Sequence, residues 1–283
     1  HCVTRRQRQM CIRDRIMEKT FVKITILIVA SALFSNNVFA WGAKGHRIIG
    51  EIAQRHLDPK VLKKIDKILQ GESLAMCSTW MDHIKSNDSF DHMYAWHYCT
   101  IADNKTTYED GTEEAKNGDV IITIERLIRE LSSKNFTDGD ERMAIRMLTH
   151  LIGDIHQPLH VGNGEDRGGN DLKIKWFEKN SNLHRIWDSE IIDYQDLSYT
   201  EYTNWINHIG DDNIEIYQNS NVREWALESK EIRMTGLYPD ENSISLGYDY
   251  NYNHIETLNL RLYLAGVRPV SYTHLTLPTS YAV

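Results

Sequence analysis

The sequence predicts a mainly α-helical domain carrying one small β-hairpin. Apolar residues recur at helical spacing through most of the chain, and only residues 171–177 alternate with the period of two that marks a strand. With 41% hydrophobic residues, 5 Pro and 16 Gly, the chain has the apolar content of a sizeable core and is neither collagen-like nor disordered. No Ser/Gly/Pro-rich stretch marks a linker, so a single domain is expected.

In chain order, a helix over 44–57 places Ile48, Ile49, Ile52, Ala53 and Leu57 on one face. Asp58-Pro59 then supplies an N-cap and a first-turn proline for a second helix that ends at Gly71. Similar periodicity predicts helices over 74–84, 113–132, 140–155, 183–192, 222–237 and 250–265. The Gly-rich loop 162–170 precedes the strand, and a turn is expected after it at Lys179-Asn180-Ser181. No repeat at a solenoid period is present.

Met17 opens a signal-peptide pattern: Lys19 and Lys23, an apolar run over 24–34, and Val38-Phe39-Ala40 at the cleavage point. Cleavage after Ala40 would make Trp41 the first residue of a secreted or periplasmic protein. The run is shorter than the roughly 20 apolar residues of a membrane span and no later segment qualifies, so no membrane association is expected. Residues 1–16 and 269–283 read as non-native tails, which leaves 41–268 as one domain, expected to act as a monomer.

The formal net charge of −8 understates the acidity of that domain, because residues 1–40 carry a basic excess. A body this acidic does not suit a duplex-DNA binder that grips phosphates with a Lys/Arg surface. Any nucleic-acid chemistry needs another source of positive charge. Of the four cysteines, only Cys77 and Cys99 lie in the domain; they are either one disulfide or two buried thiols, and no CxxC spacing makes them metal ligands.

Histidine and aspartate concentrate in three stretches. In His150-Leu-Ile-Gly-Asp154-Ile-His156-Gln-Pro158-Leu-His160 the first imidazole and the carboxylate are one helical turn apart, and Pro158 ends the helix so that His160 can turn back. His184-Arg-Ile-Trp-Asp188 repeats the spacing. Trp80-Met-Asp82 to Trp96-His97 forms the third stretch, with His46 near the expected N-terminus. One such pair is usually an ordinary hydrogen-bonded pair; two pairs with further ligands suit a metal centre. The His/Asp mixture without Cys fits Zn²⁺, and Mn²⁺ or Fe²⁺ by ligand type. His56, His83, His92, His208 and His254 lack partners in register, and His156 points off the shared face. Trp80, Trp96, Trp176 and Trp187 read as core aromatics rather than base-stacking platforms.

Trp41-Gly-Ala-Lys-Gly-His46, Trp80-Met-Asp82, Trp96-His97-Tyr98, the 150–160 stretch, Gly168-Gly-Asn170 and Asn182-Leu-His184-Arg-Ile-Trp-Asp188 together resemble the zinc-dependent, single-strand-specific nucleases and 3′-nucleotidases of the mung bean nuclease type. The resemblance runs in order from residue 41 to about 268. It implies the helical fold shared with zinc-dependent phospholipase C, and three zinc ions. It assigns one ion to Asp82, His97, His150 and Asp154, and a second to His160, His184 and Asp188. The third falls to the α-amino nitrogen and carbonyl oxygen of Trp41 with His46, and Asp154 bridges the first and third. An α-amino group, with a pKa of about 8, deprotonates readily beside a cation, so cleavage after Ala40 would create a ligand.

The resemblance further implies endonucleolytic cleavage of single-stranded DNA and RNA to 5′-phosphorylated products, with 3′-nucleotides as additional substrates. Two ions about 3.5–4 Å apart activate water for in-line attack on phosphorus, and Asp154 is the carboxylate expected to bridge. The ions would also supply the positive charge that the surface lacks. Lys85 stands where the family has a phosphate-contacting Arg, keeping the charge but not the bidentate geometry. Tyr98 matches an aromatic that packs on the bound base, and Thr100 stands where some members have a base-binding Asp. Asn170 is either a phosphate or transition-state donor or a loop-fixing residue. A zinc phospholipase C on the same scaffold and a non-catalytic zinc-binding protein are the alternatives.

Overall fold

The computed structural model describes residues 41–110, 116–209, 213–240 and 245–270; the expected signal peptide, the N-terminal tail and residues 271–283 lie outside the described residues. The first part of the chain forms helices α1 (Ala43–His56), α2 (Pro59–Leu69), α3 (Leu74–Cys77) and α4 (Trp80–Ile84), then a 3₁₀ stretch Asp88–His97 and strand β1 (Cys99–Thr100). Helices α5 (Val120–Ser133) and α6 (Glu141–His156) follow, then a 3₁₀ turn Pro158–His160 and strand β2 (Val161–Gly162). Strands β3 (Lys173–Trp176) and β4 (Lys179–Asn182) lead into α7 (Leu183–Arg185), a π-helical turn Ile186–Glu190 and α8 (Ile191–Tyr194). The remainder is α9 (Tyr199–Ile206), α10 (Ile214–Gln218), α11 (Val222–Ile232), β5 (Ser245–Leu246) and α12 (Tyr248–Val267). The mainly helical expectation holds, and no described helix is long and apolar enough to cross a membrane.

Caps written in the sequence set many of the helix starts. Asp58 accepts from Lys60 N ahead of Pro59, Asp119 from Ile122 N, Asp140 from Met143 N and Asn182 from Arg185 N. Ser198 and Asn221 each form a reciprocal capping box, with Glu201 and Glu224.

Several boundaries differ from the expectations. The helix expected over 74–84 is broken at Ser78-Thr79. The helix expected from 113 starts at Val120, residues 113–115 being outside the described residues and 116–119 a turn capped by Asp119. The hairpin turn lies at Phe177-Glu178, both with positive φ, so Lys179, Asn180 and Ser181 are strand residues paired with Trp176, Lys175 and Ile174. A two-residue turn with left-handed backbone matches strand twist; the Gly/Asn bias that usually announces one is absent here. A parallel third strand, β5, joins β3, and α9, α10 and the 3₁₀ stretch carried no strong periodicity.

The core has two apolar clusters with α1 serving both: Ile48, Ile49 and Ile52 face one, Ala53 and Leu57 the other. Helix α6 packs against α1, α3, α4, α5, α11 and α12, and residues 150–162 are all buried. Val270, beyond the expected edge at 268, is also buried in the core. Burial at the C-terminal end of α6 leaves His150, Asp154 and His156 no route to water, so each must be paired or hold an ion.

Candidate metal centre

Eight expected side-chain ligands converge. His46, Asp82 and His150 form one group, His97, His150 and Asp154 a second, and His160, His184 and Asp188 a third; within each, one ligand atom per residue lies within 4.8 Å of the others. Asp154 joins them: Oδ2 lies 2.9 Å from His97 Nδ1 and 3.2 Å from His150 Nε2, while Oδ1 lies 3.4 Å from His46 Nε2 and 3.8 Å from His160 Nδ1. Two oxygens facing different imidazoles is the arrangement a bridging carboxylate requires.

The local structure explains how each ligand is held. The break at Ser78 frees a carbonyl that accepts from His150 Nδ1 at 2.6 Å. Parallel pairing of β1 with β2, Cys99 opposite Val161, brings the ends of two segments together, and His160 Nδ1 donates to His97 O at 2.7 Å. Gly168 turns the loop with φ +61, where a Cβ would sit 2.2 Å from Leu159 O, and its carbonyl accepts from His184 Nδ1 at 2.7 Å. Gly153 leaves room for His46, whose Nδ1 would be 2.9 Å from an added Cβ. His46 can therefore stack on His150, ring centroids 3.8 Å apart. The π-turn at Ile186–Glu190 carries Asp188, in keeping with the frequent placement of such turns at functional sites.

These carbonyls also fix the chemistry of the rings. A neutral imidazole that donates through Nδ1 presents Nε2 as a lone pair. Those lone pairs turn towards carboxylates: His184 Nε2 is 3.2 Å from Asp188 Oδ2, and His160 Nε2 is 3.7 Å from Asp188 Oδ1. Nε2 of His160 and of His184, both ring nitrogens of His46, Asp82 Oδ2 and Asp154 Oδ1 are buried without a hydrogen-bond partner. Lone pairs and carboxylates gathered this way repel unless a cation lies among them, so the residues fit divalent ions of the zinc type.

Ionisation follows the same balance. Burial alone would raise the Asp154 carboxyl, but His150, His160 and His46 hold it well below its ordinary value. Asp188 is likewise opposed by burial and held at about 2 by His184 and His160. Burial, then the Lys85 charge, lowers His97 to about 4. His150 and His160 are raised against burial by the neighbouring aspartates, whereas burial and His150 lower His46. Protons on these rings and metal ions are alternative sources of the positive charge that the buried carboxylates need.

The first tryptophan is not remote. Trp41 is fully buried, its indole Nε1 donates to Gly153 O at 2.8 Å, and the next amide, Gly42 N, donates to Asp188 O at 2.7 Å. Both halves of the cluster are thus tied to the segment 41–42. Lys85 Nζ donates to Asp82 Oδ1 at 2.7 Å. Tyr98, directly after His97, is 45% exposed, and Thr100 is partly buried in β1. Asn170 donates through its amide to Arg167 O at 3.0 Å, the loop-fixing contact. Cys77 and Cys99 are free buried thiols, so the disulfide is not formed. His156 stands apart from the cluster, with Nδ1 donating to Ile152 O and Nε2 accepting from Arg268. Sequence reasoning passed over Gln157, whose side chain donates to Asp188 Oδ1 at 2.6 Å; only the fold places it there.

A family model described as S1/P1 Nuclease matches residues 41–271. The chain belongs to the S1/P1 nuclease family. Its relatives include Endonuclease 3 of Arabidopsis thaliana, 27% identical over 87% of this chain and 91% of that protein. Endonuclease 2 of the same plant is 27% identical over 83% of this chain and 84% of its own length. Nuclease S1 of Aspergillus oryzae is 27% identical over 57% of this chain and 58% of its own. Membership in the S1/P1 family makes the chain a nuclease, a metal-dependent hydrolase of ester bonds, and its metal-type side-chain groups lie inside the matched span.

Proposed function

We propose that the protein is an exported, zinc-dependent endonuclease that cleaves single-stranded DNA and RNA to 5′-phosphorylated products and also acts on 3′-nucleotides. The observation that carries this reading is the junction at Asp154, whose two buried oxygens face four imidazoles from three parts of the chain. Asp82, His97, His150 and Asp154 would hold one zinc ion, His160, His184 and Asp188 a second, and His46 with the Trp41 terminus a third. When bound, such ions polarise phosphate oxygens and activate water for in-line displacement.

The chain's own residues contribute the rest. Asp154 sets the relation between the two halves of the site because its two oxygens are committed in different directions. Lys85, within hydrogen-bonding reach of Asp82, adds a positive charge beside the first group and suits an incoming phosphate. Tyr98, exposed immediately after a ligand, offers a face on which a base can stack, and base stacking of this kind is available in flexible strands and not within a duplex. The indole of Trp41 donates to Gly153 O, one residue before Asp154 in the chain, which supports a terminus released by cleavage after Ala40 as part of the third site.

Purified protein beginning at Trp41 should digest single-stranded DNA and RNA and release phosphate from 3′-nucleotides, while leaving duplex DNA and phosphatidylcholine largely intact. Cleavage of phosphatidylcholine in preference to nucleic acid would assign the site to lipid headgroups instead. N-terminal sequencing of the exported protein should start at Trp41.

A further inference from the structure

We infer that Gln157 is a positioning residue for Asp188, and through it for the ion that Proposed function assigns to His160, His184 and Asp188; the inference rests on that reading. Gln157 is fully buried where the chain leaves α6 ahead of Pro158. Both ends of its amide are in use: Nε2 donates to Asp188 Oδ1 at 2.6 Å, and Oε1 accepts from Leu159 N at 2.5 Å. The second bond settles the orientation of the first. A flipped amide would set its NH₂ against the Leu159 N–H and its oxygen against a carboxylate, two repulsive contacts at a fully buried side chain.

The consequence for Asp188 is specific. Its Oδ1 is held by Gln157, its main-chain carbonyl by Gly42 N, and its Oδ2 is left facing His184 Nε2 at 3.2 Å. Side-chain rotation, which would spread the negative charge over several directions, is thereby removed. The donor is also neutral. Asp82 shares an oxygen with the Lys85 ammonium, which offsets part of its charge, whereas Gln157 orients Asp188 while leaving the full charge available to a cation. Asp154 makes no contact of this kind with Gln157, so removing the amide should weaken one ion selectively.

The test uses zinc-loaded protein, with bound zinc measured by mass spectrometry after equilibration against graded chelator. Q157M removes both hydrogen bonds with little change of volume, and Q157E keeps an acceptor for Leu159 N while removing the neutral donor to Asp188. Wild-type protein should hold three ions. Both variants should release one ion about 10- to 100-fold more readily, the usual effect of losing a ligand's hydrogen-bond partner, with the other two unchanged. Wild-type retention of all three ions by Q157E, with only Q157M impaired, would show that Gln157 merely caps the Pro158–His160 turn and would overturn the inference. Three unchanged ions in both variants would also overturn it, leaving the zinc-nuclease reading intact. A wild-type protein that binds no zinc would defeat both. Should Q157M not fold, Q157E decides the question alone.

Discussion

Helix α6 buries two histidines six residues apart, and their surroundings differ in one respect. His150 and His156 are both fully buried, and each donates through Nδ1 to a carbonyl, Ser78 O and Ile152 O. The second nitrogen separates them. His156 Nε2 accepts from Arg268, inside a network in which Glu228 receives Arg261 and Arg268, and Arg261 also donates to His156 O and to Ser229 Oγ. His150 Nε2 instead faces Asp154, Asp82 and His97. One region has its charges closed by protein groups; the other gathers acceptors and lone pairs that need added positive charge, from ring protons or a metal ion, to be reconciled. Burial and histidine density do not tell a structural imidazole from a ligand, and the balance of donors against acceptors does.

The most damaging way to probe this contrast is Asp154→Asn, which keeps the shape but removes the charge shared by both halves of the cluster. Turnover should fall by well over the ~100-fold typical of losing a ligand's hydrogen-bond partner, measured as initial rates on single-stranded DNA. Retention of one residue ahead of Trp41 should come next: most activity and one zinc ion should be lost, because an amide nitrogen in that position cannot replace an amine. Full activity with a complete metal complement in that protein would remove Trp41 from the ligand set.

On the closed side of the comparison, Arg261→Met should do the opposite. It strips donors from His156 O, Trp225 O and Ser229 and leaves metal binding alone. The expected cost is on the order of 3 kcal/mol of stability, or roughly a 10 °C fall in melting temperature, with zinc stoichiometry unchanged. The smallest effect belongs to His156→Gln. Burial, then Arg261 and Arg268, holds this imidazole well below its ordinary 6.5. The unfolded chain therefore binds a proton that the native one refuses, and stability is lost as pH falls below about 6.5. Melting temperatures of the zinc-loaded variant between pH 7 and 5 should show a flatter slope than wild type.

Much of this contrast was legible before folding, and for a definite reason. His150 with Asp154 and His184 with Asp188 share helix faces by spacing alone, and Asp58 ahead of Pro59 marks the start of its helix as a cap. What stayed hidden depends on groups without side-chain identity or on contacts far apart in sequence. The carbonyls of Ser78, His97 and Gly168 that orient three imidazoles could be any residue's. The break at Ser78-Thr79 divides a stretch that reads as one helix, and β1 and β2 are too short to carry periodicity. The role of His156 rests on Arg268, 112 residues away, which no local pattern announces.

Anomalous diffraction at the zinc edge, from crystals of protein beginning at Trp41, would test the metal centre most directly. Three peaks are predicted: one among Asp82, His97, His150 and Asp154, one among His160, His184 and Asp188, and one beside His46 and the Trp41 terminus. Crystals grown with zinc that show no peak among these residues, their imidazoles paired instead with protonated partners, would contradict it.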